Sequence, residues 1–135
     1  LKVGVNIKID VLPPSNLRQG KSNGKLEMFR ASWIADYPDP ENYLSLFHSK
    51  NKSPLGPNYT HFINSKYDSL FTNSYKQQSK KNRFESYLEL EKIIVEEAPV
   101  IPLYYDQVLT IAHKNLKGFK INAINQLNLK KVYKE

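Results

Sequence analysis

Two prolines placed two residues apart, in Ala35-Asp36-Tyr37-Pro38-Asp39-Pro40-Glu41, constrain this chain more than any other feature. Leu26 to Ala35 reads as a largely apolar strand containing the sole tryptophan, Trp33. Pro38 ends it, because a proline donates no backbone hydrogen bond and holds the residue before it extended. Asp39 then supplies an N-cap, Pro40 the first helical position and Glu41 an acid in the first turn. The pattern predicts a strand, a rigid turn that presents Asp36 and Tyr37, and a short helix over Pro40–Phe47. Strand ends of this kind are where α/β proteins place ligand contacts.

The rest of the chain predicts a mixed architecture. Val3, Val5, Ile7, Ile9 and Val11 alternate with polar residues or glycine, which predicts a strand with one buried face, stopped by Pro13-Pro14. Ser15–Lys25 is polar and has room for a short helix. His48–Thr60 reads as an exposed loop. Ser65-Lys-Tyr-Asp68 has capping-box form and opens a helix with Tyr67, Leu70, Phe71 and Tyr75 on one face. The strongest helical pattern is Lys80–Ala98. A helical wheel gathers Phe84, Tyr87, Leu88, Leu90, Ile94, Val95 and Ala98, with Glu91 among them, so Glu91 is expected to need a buried partner. Val100–His113 is extended, broken by Pro102, which predicts an edge or a bulge. Asn115–Gly118 reads as a turn and Gln126–Tyr133 as a final strand. Strand and helix signals in this order indicate an α/β or α+β fold.

Composition excludes several classes. The 135 residues contain no cysteine, which removes disulfides and thiolate metal sites. No apolar run approaches a membrane span. The formal charge of +7 raises a basic nucleic-acid-binding domain as a rival reading. The lysines are nevertheless scattered from Lys2 to Lys134, and no recognition-helix or RNA-binding aromatic signature accompanies them. A lysine-coated surface is the better account, with no nucleic-acid partner. No nucleophile elbow, phosphate loop, dinucleotide fingerprint or zinc helix is present, and His48, His61 and His113 are far apart. Asp36 and Asp39 could form a hydrolytic carboxylate pair, but Asp39 is better explained as a cap. The sequence predicts no catalytic residue, no metal ligand and no cofactor.

Arg30-Ala-Ser-Trp33-Ile-Ala-Asp36-Tyr-Pro-Asp-Pro40-Glu-Asn-Tyr-Leu44 resembles the segment W-x-A-D-Y-x-D-P-x-N-[FY]-L of the oligopeptide/dipeptide-type extracellular solute-binding proteins of ABC importers. Further matches follow in the family's order at Tyr67-Asp68-Ser-Leu70, Arg83-x-x-x-Tyr87-x-x-x-Glu91-x-Ile-Ile94, Ala98-Pro-Val-Ile-Pro-Leu-Tyr-Tyr105 and Lys117-Gly118-Phe. The resemblance implies a C-terminal portion of a type II periplasmic-binding-protein lobe, an α/β fold with a mixed sheet and flanking helices. Residues 1–135 would form a single domain of a larger bilobed protein, with 1–113 mainly in one lobe and 114–135 returning toward the other. It implies peptide binding outside the cytoplasmic membrane, in the periplasm or as a cell-surface lipoprotein, without catalysis. The implied partners are a peptide, a membrane permease and the other lobe. Related scaffolds bind nickel chelates, haem or sugars, and an adhesin or signalling receptor on the same fold is a further alternative.

The resemblance also implies site roles. The aspartate matching Asp36 pairs with a peptide's α-amino group, where a partly desolvated ammonium needs a charged acceptor; from the sequence alone Asp36 could equally bond turn N–H groups. Trp33 and Tyr37 would wall the adjacent pocket, and Arg30 would hold the ligand's carboxylate or backbone. Of Tyr104 and Tyr105, which alternate across a strand, one can line the cleft, and Tyr105 is the expected one. The unpaired strands Val3–Val11 and Gln126–Tyr133 predict self-association of the chain by itself.

Overall fold

A computed structural model describes residues 4–122, 124 and 126–135. Val3 of the first expected strand, and Ala123 and Asn125 near the last, lie outside them. Four helices dominate: α1 (Pro14–Ser22), α2 (Glu41–Leu44), α3 (Ser65–Ser74) and α4 (Lys80–Glu97). Two-residue strands β1 (Leu116–Lys117) and β2 (Tyr133–Lys134) pair antiparallel, with Leu116 opposite Lys134 and Lys117 opposite Tyr133.

Local chemistry sets each helix end. Pro14 opens α1, where a missing N–H costs nothing. Its far end is a paired carbonyl lock: the Gly24 N–H donates to Lys21 and the Lys25 N–H to Gly20, with Gly24 left-handed at φ +62°. Asn64, not Ser65, caps α3, its side chain accepting the Tyr67 N–H at 2.9 Å. The expected capping box therefore does not form. Asp68 turns outward to Ser49 instead, accepting from that residue's N–H at 2.9 Å and its hydroxyl at 2.5 Å. α4 ends as expected before Pro99, through Ala98 in the left-handed region.

The core lies between α2, α3 and α4. Leu44, Tyr67, Phe71, Tyr87, Leu90, Ile93 and Ile94 are buried together, with Phe47, Phe62, Leu70 and Val100 packed around them. Tyr67 is fully enclosed, and its hydroxyl donates to the Leu44 carbonyl at 2.7 Å, so the buried phenol keeps a partner. Five aromatic contacts link Phe47, Phe62, Tyr67, Phe71 and His48, four edge-on and one, Tyr67 on Phe71, stacked.

Several expectations are corrected. α4 has two apolar faces, not one. Tyr87, Leu90, Ile93 and Ile94 point into the core, whereas Leu88 and Val95, 75 % exposed, lie on the other side with Phe84 at its margin. Glu91 belongs to that outer face and is exposed, so it needs no buried partner. The loop after His48 is not merely exposed: His48, Ser53 and Asn58 are buried. The Asn58 amide donates to the His48 and Phe62 carbonyls and its oxygen accepts from Thr60 and the Phe62 N–H, so one side chain replaces a hydrogen-bonded ladder. Leu116–Lys117, expected as a turn, is a strand, and only Tyr133 of the expected Gln126–Tyr133 strand pairs.

The expected strands around Val5–Val11, Leu26–Ala35 and Val100–His113 are not hydrogen-bonded ladders among the described residues. Val5, Ile7, Ile9 and Val11 in the first, and Ile101, Leu103, Leu109 and Ile111 in the last, are exposed. Periodicity marks which face of a strand wants burial; a ladder also needs a neighbouring strand, which these segments do not find here.

Candidate functional site

The double-proline turn is built as its residues dictate and is then braced from three sides. The Asp39 N–H reaches back to the Tyr37 carbonyl at 2.9 Å, tightening the turn around Pro38. One oxygen of Asp39 caps the following helix, accepting the Glu41 N–H at 3.0 Å. Its other oxygen accepts from Arg83 on α4 at 2.7 Å. Asp39 is therefore spent on structure, as the cap reading requires, and also ties the turn to α4.

Glu41 and Asn42 do the rest. Glu41 is 8 % exposed, and its two oxygens accept the hydroxyls of Tyr37 and Tyr75. Asn42 is 4 % exposed, and its side-chain oxygen accepts both the Trp33 indole N–H at 2.7 Å and the Asp36 backbone N–H at 3.3 Å. The helix holding them is pinned through Leu44 in the core and through the Ser45 hydroxyl on the Asn42 carbonyl. Trp33, Asp36 and Tyr37 are thus assembled by α2. Asp36 keeps an exposed carboxylate, Trp33 is half-buried and Tyr37 is 43 % exposed.

Arg30 and Tyr105 stand differently. Arg30 is exposed and donates to the Tyr104 hydroxyl at 2.5 Å. That contact joins the segment before Trp33 to the segment after Pro102. Tyr104, therefore, is the tyrosine beside Arg30, and Tyr105 is 95 % exposed. Sequence reasoning missed Glu41, Asn42, Tyr75 and Arg83 as braces. Glu41 and Asn42 stood inside the recognised motif, three and two residues before a core leucine, a spacing that places polar groups at a packed helix start.

Burial and these bonds shift the phenols. Tyr37 is raised above its ordinary value chiefly by its bond to Glu41. Burial is the leading cause for Tyr67 and Tyr75, and it pushes Tyr87 up to about 12 with help from Asp39 against Arg83. An unfolded phenol ionises near pH 10, so the unfolded chain loses these protons first. The phenols' contribution to stability is whole below about pH 10 and is lost as pH rises through the folded values. Thermal melting should fall steeply above about pH 10, and Tyr67→Phe should make that fall shallower. A melting temperature flat to pH 12 would refute the assignment.

His48 takes a structural position, and His113 is exposed. His48 accepts the Lys50 N–H through Nδ1 at 3.1 Å, lies with Nε2 3.4 Å from the Thr72 hydroxyl and packs edge-on to Phe71. Among the described residues no group of three His, Cys, Asp or Glu side chains could hold a metal ion, and no helix is long and apolar enough to cross a membrane.

The packed helical layer and the braced aspartate turn belong to a mixed α/β fold. No family model matches the chain. It is 29 % identical over 120 residues to the periplasmic murein peptide-binding protein MppA of Escherichia coli K12, covering 89 % of this chain and 22 % of that protein. It is 31 % identical over 104 residues to the oligopeptide-binding protein OppA of Bacillus subtilis 168, covering 77 % of this chain and 18 % of the relative. Among solved structures, the ABC transporter-associated periplasmic binding protein DppA of Helicobacter pylori, in complex with peptide STSA, superposes with a TM-score of 0.80 at 28 % identity, covering 99 % of this chain and 27 % of that one. Over most of its length the chain is similar to oligopeptide/dipeptide-type extracellular solute-binding proteins, and it spans about a fifth to a quarter of the length of these relatives.

Proposed function

We propose that this chain is one part of a two-lobed, extracytoplasmic binding protein that captures a short peptide and presents it to a membrane permease, without chemistry. The observation that carries this reading is the Asp36 turn. Asp39, Glu41 and Asn42 around it are occupied by Arg83, by two phenols and by two N–H groups, while the Asp36 carboxylate is left exposed at the turn's tip. A carboxylate whose backbone is held in place by its neighbours loses little main-chain freedom on meeting a cation, and that preorganisation favours binding. Asp36 accepts the peptide's α-ammonium, Trp33 and Tyr37 wall the adjacent pocket, and Arg30 with Tyr104 takes a carboxylate or backbone oxygen further along.

Because a cleft needs both walls, the complete protein and this chain should differ. Calorimetric titration with short peptides, three to five residues long, should give the complete protein a dissociation constant near or below about a micromolar, roughly 8 kcal/mol. The 135-residue chain alone should give weak heats or none. Failure of the complete protein to bind any such peptide would overturn the reading.

A further inference from the structure

Asn42 lies on neither the exposed turn nor the half-buried indole, yet it touches both. Its side-chain oxygen is a shared acceptor: the Trp33 indole N–H lies 2.7 Å away and the Asp36 N–H 3.3 Å away. The amide is 4 % exposed, so water does not readily replace it. The residue itself cannot drift. Its N–H donates to the Asp39 carbonyl at 3.1 Å, and its carbonyl accepts the Ser45 hydroxyl at 2.9 Å. Two residues on, Leu44 is buried in the core and its carbonyl takes the Tyr67 hydroxyl.

We propose that Asn42 is a positioning residue that locks Trp33 and Asp36 into one unit, so that the aromatic wall and the ammonium acceptor act on a ligand together and not independently. The proposal rests on the peptide-binding reading above. Its physical basis is the shared oxygen. An indole has two rotatable side-chain bonds, and fixing its N–H fixes the plane of the ring; a turn N–H bonded to the same atom fixes the distance from that ring to the Asp36 backbone. Removing the oxygen leaves the half-buried indole N–H without its partner and frees both groups at once. Contacts that share one brace lose affinity non-additively when altered in pairs, whereas independent contacts add.

Four forms of the complete protein are compared for affinity toward one unblocked tripeptide: wild type, Asn42→Ala, Trp33→Phe and the double variant. The Trp33 indole N–H resonance, assigned by its loss in Trp33→Phe, is followed without ligand. Asn42→Ala is expected to shift that resonance, to speed its exchange with solvent at least about tenfold, and to weaken the peptide about tenfold. In the Trp33→Phe background the same change should cost about threefold or less, since half of what Asn42 holds is already gone. Asn42→Asp keeps an oxygen in the same place and should restore the indole resonance; it also serves if Asn42→Ala does not fold, and an indole resonance displaced in Asn42→Asp would then overturn the proposal. Equal losses in both backgrounds, or unchanged affinity in Asn42→Ala while Asp36→Asn is weakened, would overturn it as well. Full affinity in Asp36→Asn would instead overturn the ligand reading underneath, because that variant leaves both bonds to Asn42 intact.

Discussion

Asp36→Asn should weaken binding of an unblocked peptide to the complete protein by at least tenfold, a difference of about 1.4 kcal/mol, with the melting temperature nearly unchanged. Stranding a ligand ammonium that had a charged partner costs roughly 2–5 kcal/mol. Stability is spared for a separate reason. The exposed carboxylate is not what holds the turn; the Asp36 N–H on Asn42 and the brace at Asp39 are. N-acetylation of the peptide removes the same charge from the other side. Acetylated peptide should bind the wild type poorly and be almost indifferent to Asp36→Asn, closing a double-mutant cycle. Additive losses from acetylation and mutation would mean that Asp36 does not meet the ammonium and serves the turn alone.

Phe71→Ala should lower the unfolding free energy of the chain by about 3–5 kcal/mol, measured by denaturant titration. The ring is buried between the Tyr67 face, the Tyr75 edge and His48, so its loss removes apolar burial and leaves a void that three aromatic neighbours cannot fill without leaving their own partners. Val95→Ala on the outer face of α4 is the control, expected within about 0.5 kcal/mol of wild type because the side chain already meets solvent. Comparable losses from the two substitutions would show that the core is drawn in the wrong place.

What could be read from the sequence divides along a physical line. The helices were legible because their signals are local. Period 3.6 marked α3 and α4, Pro99 bounded α4, and Asp39-Pro40-Glu41 announced α2, whereas for α1 the polar Ser15–Lys25 stretch marked only room for a short helix. Errors within them came from near-degenerate alternatives. Asn64 and Ser65 are both competent caps, and only the path of the chain chooses between them. On α4 the wheel merged two apolar arcs, because it shows that Leu88 and Leu90 are apolar but not which of them meets α3. Strand signals were also genuine as patterns, as in Val5-Asn6-Ile7-Lys8-Ile9, yet pairing is a property of two segments and one segment cannot state it. The site followed the same rule. Trp33, Asp36 and Tyr37 could be named from the turn chemistry and the motif. Arg83, which meets Asp39 across 44 positions, and Tyr75, which meets Glu41 across 34, could not, because nothing local records who arrives from a distance.

The core residues from Leu44 to Ile94, with Val100 packed against them, form one uninterrupted stretch of chain, while the long extended segments lie before and after it. That arrangement has a kinetic meaning. The α3–α4 contacts close only a short loop, and nuclei built from near neighbours form orders of magnitude faster than ones that wait for distant strands. During synthesis the three helices would condense as soon as Val100 leaves the ribosome, before the apolar residues of Ile101–Ile111 have emerged. The Asp36 turn, anchored to α2 and α4, would be set at that same moment, so the proposed binding corner is finished early and the exposed flanks are what a chaperone would have to guard.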